Sequence, residues 1–217
     1  MKALSIAGVA LSAALSFATV AHGAVIYNNG GPNGVSGNDA TQWVQAEDFG
    51  FGLGATVGGA GVYIAGFGGI GNWDGAIDYW VFGDSGGTPG AVLASGSGQN
   101  VATSDSGIAW GFGGNAWLVD FDFASNFNAV AGNTYWLGVH LSTNYDRDDI
   151  YWVTTANNGT TRGNESNGGA FNNWSNNGQE HAYYLKGARV PGEVPAPAAL
   201  SIVGLGLAGL GLARRRK

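Results

Sequence analysis

Glycine and other turn-forming residues interrupt this sequence so often that only short regular elements fit between them. Glycine is the commonest residue, at 40 of 217 positions. Between the two apolar ends of the chain, no stretch combines a helix cap with apolar residues at a period of 3.6. Short runs rich in β-branched and aromatic residues are present instead. The pattern predicts an all-β fold, an antiparallel β-sandwich or jelly roll.

The predicted strands are short runs bounded by turn residues. They are Gln42–Phe51, Val62–Phe67, Ile77–Phe82, Ala91–Ser95, Trp117–Phe123, Thr134–Ser142, Ile150–Thr155 and His181–Lys186. Three long polar connections are expected at Asn28–Asp39, Asp105–Gly114 and Ala156–Glu180. The last of these contains Phe171 and Trp174 among many Asn, Gly, Thr and Ser residues.

Two of the predicted strands alternate clearly enough to assign their faces. The faces expected to point into the core carry Trp117, Val119, Phe121, Phe123, Tyr135, Leu137, Val139 and Leu141. The opposite faces, expected to be polar, carry Asp120, Asp122, Trp136 and His140.

The N-terminal end has the features of a secretory signal peptide. Lys2 precedes an apolar stretch from Ala3 to Ala21, and small residues at Ala21 and Gly23 suit a signal peptidase. We expect residues 1–23 to be removed, so that the mature chain begins at Ala24. Export would permit disulfides, but the chain has no cysteine, so a single core within residues 24–189 must supply its stability.

The charge of the chain changes sharply along its length. Between residues 24 and 197 there are four basic and fifteen acidic residues, a net charge of −11. Nucleic-acid binding is therefore not expected, since phosphate contacts need a basic patch. The excess of acid favours solubility and leaves room for bound cations.

The C-terminal end has three parts in a fixed order. The hinge Val194-Pro195-Ala196-Pro197 favours extended chain. An uncharged apolar run from Ala198 to Ala213 follows, long enough for a short membrane span of roughly 24 Å. The basic residues Arg214, Arg215, Arg216 and Lys217 close the chain and are expected to stay cytoplasmic.

This order of hinge, short span and arginine cluster resembles the PEP-CTERM sorting signal of Gram-negative bacteria. The resemblance covers residues 190–217, although Ala196 stands where that motif has its central Glu. It implies a precursor anchored in the inner membrane, processing by exosortase, and delivery to the cell surface or exopolysaccharide matrix. The alternative is an ordinary single-span anchor with a proline hinge.

Two segments of the middle region resemble a β-sandwich domain that recurs in proteins with this C-terminal signal. They are Pro89–Ala94 and Ala131–Val139. The resemblance covers most of the chain between the two ends. It implies a fold and a location at the cell surface or in the matrix, but no activity.

Aromatic residues on polar stretches make glycan binding one expectation, because sugar rings stack on aromatic side chains. Trp136 and His140 share the predicted polar face, and Trp174 lies in an Asn-rich loop. The alternative is that large Trp side chains belong to the core.

A cation site is a second expectation. Asp146, Asp148 and Asp149 place three carboxylates in one turn, where oxygen ligands could gather Ca²⁺. The turn lacks the Gly and distal Glu of an EF-hand, and Arg147 could simply neutralise it.

Catalysis is less favoured than binding. Asp120 and Asp122 are about 7 Å apart on one strand face, within the range for glycoside hydrolysis, but alternating acids commonly form a solvated face. The sequence thus favours an exported, non-enzymatic surface or matrix protein with extracellular polysaccharide as a partner. A secreted carbohydrate-active enzyme and a purely structural surface protein remain the alternatives.

Overall fold

The computed structural model describes residues 23–158 and 163–189, where every regular element is a β-strand. The strands are β1 (Ala24–Gly30), β2 (Gly37–Asp39), β3 (Trp43–Gly50), β4 (Ala55–Gly66), β5 (Asp78–Asp84), β6 (Pro89–Ser97), β7 (Gln99–Ala109), β8 (Asn115–Ala129), β9 (Thr134–His140), β10 (Ile150–Val153), β11 (Asn164–Asn167), β12 (Ser175–Asn176) and β13 (Tyr183–Arg189). The predicted signal peptide up to residue 22, and the predicted hinge, span and basic tail, lie outside the described residues. No helix in the described ranges is long and apolar enough to cross a membrane.

The strands form two antiparallel sheets. In the first sheet, one edge of β4 pairs with β8, which pairs with β7. The other edge of β4 pairs with β13 and then, further along, with β10. Strand β1 pairs with β13, and β2 pairs with β10. The second sheet has the order β12-β11-β3-β9-β5-β6. The fold is therefore all-β, consistent with the predicted sandwich.

The main core lies between the two sheets and contains the faces that alternation predicted. The fully buried side chains there include Val119 and Phe121 of β8 and Leu137 and Val139 of β9. Burying a side chain of this size contributes ~1.5–3 kcal/mol to folding. The alternation of apolar and polar residues is thus a correct guide to the interior of both sheets.

Several strands carry too little apolar pattern to be predicted. The longest of them, β7, is an exposed edge strand rich in Ser, Thr, Asn and Asp. Strand β4 begins at Ala55, well before the predicted start at Val62, because its glycines are not turn residues. A Cβ at Gly61 would lie 2.2 Å from the ring of Tyr184, so this glycine lets a neighbouring side chain lie flat on the sheet.

The ends of β4 define two poles of the domain. At one end Ala55 pairs with Arg189, and Ala24 pairs with Gly187 of the same neighbouring strand. We call this end the tail pole, since the described chain begins and ends there. At the other end Gly66 pairs with Ile150. This distal pole is roughly 36 Å away, given about 3.3 Å per residue of strand.

Candidate functional site

Trp136 occupies the predicted face of β9, but that face is covered. The side chain is 0 % exposed and packs against Phe82. Phe171 and Trp174 of the long polar segment pack onto this cluster from outside. The indole Nε1 donates to Asp84 Oδ1 at 3.0 Å. The expectation that Trp136 meets solvent is therefore wrong, because a segment distant in sequence forms a second hydrophobic layer over the sheet.

His140 is also buried, contrary to its expected position on a solvated face. Its Nε2 lies 2.7 Å from the carbonyl oxygen of Thr41, and its ring stacks on Tyr145 with 4.2 Å between centroids. Burial lowers the pKa of His140 below its ordinary value. A neutral imidazole that donates to Thr41 fits these contacts, and it ties β9 to the chain before β3.

Trp174 is the one partly exposed residue of the predicted glycan-binding set. Its ring is nearly parallel to Phe171, at an interplanar angle of 8° and a centroid distance of 5.9 Å. Its Nε1 is buried with no hydrogen-bond partner among the described residues. The structure thus brings Trp136 and Trp174 into one cluster, in which Trp174 and Phe171 cover Trp136 on the outer face of the second sheet.

The three carboxylates predicted to bind calcium point to different partners. Asp148 accepts a hydrogen bond from Ser142 Oγ at 2.9 Å, and Asp149 accepts one from Arg147 Nε at 2.9 Å. With Asp146, they do not form a group of ligand atoms within 4.8 Å of one another, although another acidic set in the described ranges does. Calcium binding at this turn stays a prediction. It would raise the melting temperature of the exported protein in millimolar Ca²⁺ relative to chelator, and equal values would refute it.

Asp120 and Asp122 share the outer face of the first sheet, as alternation predicted. Lys186 Nζ forms ion pairs with both carboxylates, at 3.0 Å to Asp122 Oδ1 and closer still to Asp120. The lysine stem lies over Gly59, where a Cβ would meet Lys186 Cε at 2.8 Å. The two carboxylates therefore share the ammonium group of Lys186 on the outer face of the sheet.

The acidic set with clustered ligand atoms lies around Glu47, which points into the interior from β3. Glu47 Oε2 lies 2.9 Å from both the backbone nitrogen and the Nδ1 of His181. His181 Nε2 lies 3.1 Å from Asn38 Oδ1. Both side chains of this pair are completely buried. Asp48 and Glu180 complete the set.

The contacts of His181 determine where the shared proton lies. Asn38 Oδ1 is an acceptor, so His181 Nε2 carries hydrogen, and a neutral ring then leaves Nδ1 as an acceptor. Burial lowers the pKa of His181 to about 3. Burial, and next the Glu180 carboxylate, raise the pKa of Glu47 well above its ordinary value. The contacts and both pKa shifts favour a neutral pair in which protonated Glu47 donates to His181, and both side chains are sealed from solvent.

Sequence reasoning also missed an aromatic cluster at the distal pole. The tetrapeptide Gly-Phe-Gly-Gly occurs twice, at residues 66–69 and 111–114. The structure brings Phe67 and Phe112 together, with 6.1 Å between ring centroids. They are 55 % and 56 % exposed and lie over Trp110 and Tyr151, which are buried. The repeated tetrapeptide could have predicted two exposed Phe rings, because a Phe between glycines in a turn has no neighbouring strand residues to cover it.

No protein-family model, curated protein or solved structure matches this chain. The sequence patterns and the geometry of these clusters are therefore the grounds for any function proposed for it.

Proposed function

We propose that this chain is an exported, non-enzymatic protein of the cell surface or exopolysaccharide matrix, with extracellular polysaccharide as its partner. Signal peptidase removes residues 1–23, and the segment 190–217 holds a precursor in the inner membrane until exosortase processes it. The support for this address is the order of hinge, apolar run and arginine cluster in the C-terminal segment.

One structural observation carries the proposal furthest. Ala24 pairs with Gly187 on adjacent antiparallel strands, and Arg189 follows two residues later. The attachment points of both terminal segments therefore lie together at the tail pole. A precursor held in a membrane by these segments would keep that pole towards the bilayer and turn the distal pole outwards.

The charge of the domain fits the same role. With a net charge of −11 between residues 24 and 197, the released protein is soluble and repelled by anionic lipid. Removal of the C-terminal basic cluster would free this acidic domain from its only strongly basic segment. Among the acids considered for catalysis, Asp120 and Asp122 are held by Lys186, which supports a binding or structural role over hydrolysis.

Processing at both ends is the test of this proposal. The protein recovered from the cell surface or medium should begin at Ala24 and lack the residues after the hinge. Replacing Arg214, Arg215, Arg216 and Lys217 by glutamine should let the span slip outwards and reduce processing. Ala196→Glu, which restores the motif, should leave processing unchanged or improve it. Intact mass spectrometry reads all three forms, and recovered wild-type protein that still ends at Lys217 would show a plain anchor instead.

A further inference from the structure

We infer that the two Gly-Phe-Gly-Gly loops form a binding platform for a neutral polysaccharide at the distal pole. We call residues 66–69 and 111–114 the paired Phe loops. The inference rests on the proposed function, because it names the surface that would contact the extracellular polysaccharide. It replaces the site predicted at Trp136, His140 and Trp174, two of which are buried.

The glycines of the paired Phe loops are required by their conformation. Gly68, Gly69, Gly113 and Gly114 have φ values of 76°, 117°, 103° and 76°, a region that other residues rarely adopt. The two loops also touch, since a Cβ at Gly114 would lie 3.1 Å from the nitrogen of Gly69. Each loop is thus a tight turn that holds one Phe at its tip, and contact between the turns fixes the spacing of the two rings.

The rings beneath the platform keep it rigid. Phe67 lies 5.7 Å from Trp110 and 5.5 Å from Tyr151, and Phe112 lies 5.0 Å from Trp110, between centroids. Trp110 and Tyr151 are themselves 5.4 Å apart. Phe67 and Phe112 therefore stand on a packed aromatic base, which lowers the cost of ordering these loops when a ligand binds.

A polar group borders the aromatic base on one side. The Tyr151 hydroxyl donates to Asp149 Oδ1 at 2.9 Å, and Arg147 Nη2 donates to the same hydroxyl at 3.3 Å. The Arg147 side chain is 62 % exposed. Its described contacts use Nε and one Nη2 hydrogen, which leaves most of the five guanidinium N–H donors for sugar hydroxyls.

Charge and size favour a neutral glycan over other occupants. A polyanion, an anionic membrane or a second copy of this chain would meet a domain of the same negative sign. A stable protein interface buries about 800 Å² per partner. Two Phe rings, each about half exposed out of ~150–250 Å², offer much less than that. A sugar ring, with one apolar face and hydroxyls at its edge, matches one Phe ring beside a polar rim.

Affinity electrophoresis of the mature exported protein tests the platform. The gels contain either the neutral or the acidic fraction of the polysaccharide made by the producing cells, with galactomannan as a defined neutral probe. We expect the neutral fraction or galactomannan to retard the protein and the acidic fraction to leave it unretarded. Phe67→Ala and Phe112→Ala should each weaken retardation about tenfold, because each removes a ring that binding would bury. Phe67→Tyr should keep most of it.

Leu53→Ala is the matched control. Leu53 is 54 % exposed and precedes β4, at the tail pole, so its loss removes a similar exposed apolar side chain far from the platform. It should leave retardation unchanged, and circular dichroism should show the same β spectrum for all variants.

The possible failures separate the site from the function. The double Phe variant carries both Phe67→Ala and Phe112→Ala. If it were retarded as strongly as the wild type, the protein would bind polysaccharide at some other site, and the inferred platform would be wrong. A wild-type protein retarded by neither neutral probe would overturn the platform, while the masses of the processed ends would still decide the proposed address. A wild-type dimer that becomes a monomer in the double Phe variant, by sedimentation, would show that the paired Phe loops bind a second copy instead.

Discussion

Glu47→Ala is expected to lower the free energy of unfolding by ~3–5 kcal/mol, since it leaves the backbone N–H and Nδ1 of His181 without partners in a dry interior. Urea denaturation of the exported protein, followed by circular dichroism, measures the change. Glu165→Ala is the control. Glu165 is only half-buried, and its one described side-chain hydrogen bond comes from Gln45 Nε2 at 3.4 Å, so its loss should cost well under ~1 kcal/mol.

Glu47→Gln should lose less stability than Glu47→Ala. Both contacts of Glu47 are made by one oxygen, Oε2, which as a hydroxyl donates to His181 Nδ1 and accepts from the backbone N–H. An amide group of glutamine in that position can keep one of these two hydrogen bonds but not both. Near pH 4.5, where unfolded Glu is half protonated, the variant should be less stable than the wild type by about 1–3 kcal/mol, the cost of the one buried group left without a partner. A loss as large as that of Glu47→Ala would show instead a charged Glu47 paired with protonated His181.

The pH dependence of this pair has a definite sign. The raised pKa of Glu47 means that its contribution is fully present below the unfolded value of 4.5 and is lost as pH rises towards the folded pKa. The lowered pKa of His181 works in the opposite direction, with stability lost as pH falls from 6.5 towards about 3. The two effects oppose each other between pH 4.5 and 6.5, so the pair stabilises the fold most within that window.

The comparison with glutamine isolates Glu47 from every other titrating group. Above pH 4.5 the wild type should lose ~1.4 kcal/mol per pH unit relative to Glu47→Gln, until the folded pKa of Glu47 is passed. Urea denaturation of both proteins from pH 4 to 9 measures this difference. A constant difference across the range would contradict a buried protonated Glu47.

The alternation of apolar and polar residues predicted the strands that have one apolar and one polar face. Alternation placed Phe121 and Leu137 in the core correctly, because the two faces of each of their strands differ in polarity from each other in the sequence. Strand β7 has no such contrast: its polar side chains are exposed at a sheet edge, and pairing with β8 determines its conformation. Edge strands of this kind follow from their neighbours more than from their own residues.

The candidate site depended on contacts between distant segments, which one sequence does not reveal. Glu47 and His181 are 134 positions apart, and pairings with other parts of the chain, among them the bridge between Thr154 and His181, place the two residues together. The paired Phe loops are a different case. Their shared tetrapeptide is visible in the sequence, but their meeting at one pole depends on the pairing of β4 with β8.

Trp136→Ala tests the largest difference between sequence expectation and structure. We expect a loss of ~3–5 kcal/mol in the free energy of unfolding, because a fully buried indole is replaced by a cavity under Phe171 and Trp174. Asp84 would also lose the hydrogen bond from the indole at 3.0 Å. Trp136→Phe, which fills most of the space but lacks the N–H donor, should cost less than the alanine variant.

Two measurements on the same Trp136 variants separate the two roles considered for this residue. If it belongs to the second hydrophobic layer, urea denaturation will show the loss of stability, while folded protein below the transition will still be retarded by the neutral polysaccharide fraction. If Trp136 stacked on sugar, stability would change little and retardation would disappear. The burial of the indole and its bond to Asp84 require the first result. The second would mean that the segment carrying Phe171 and Trp174 does not cover this face of the sheet in solution.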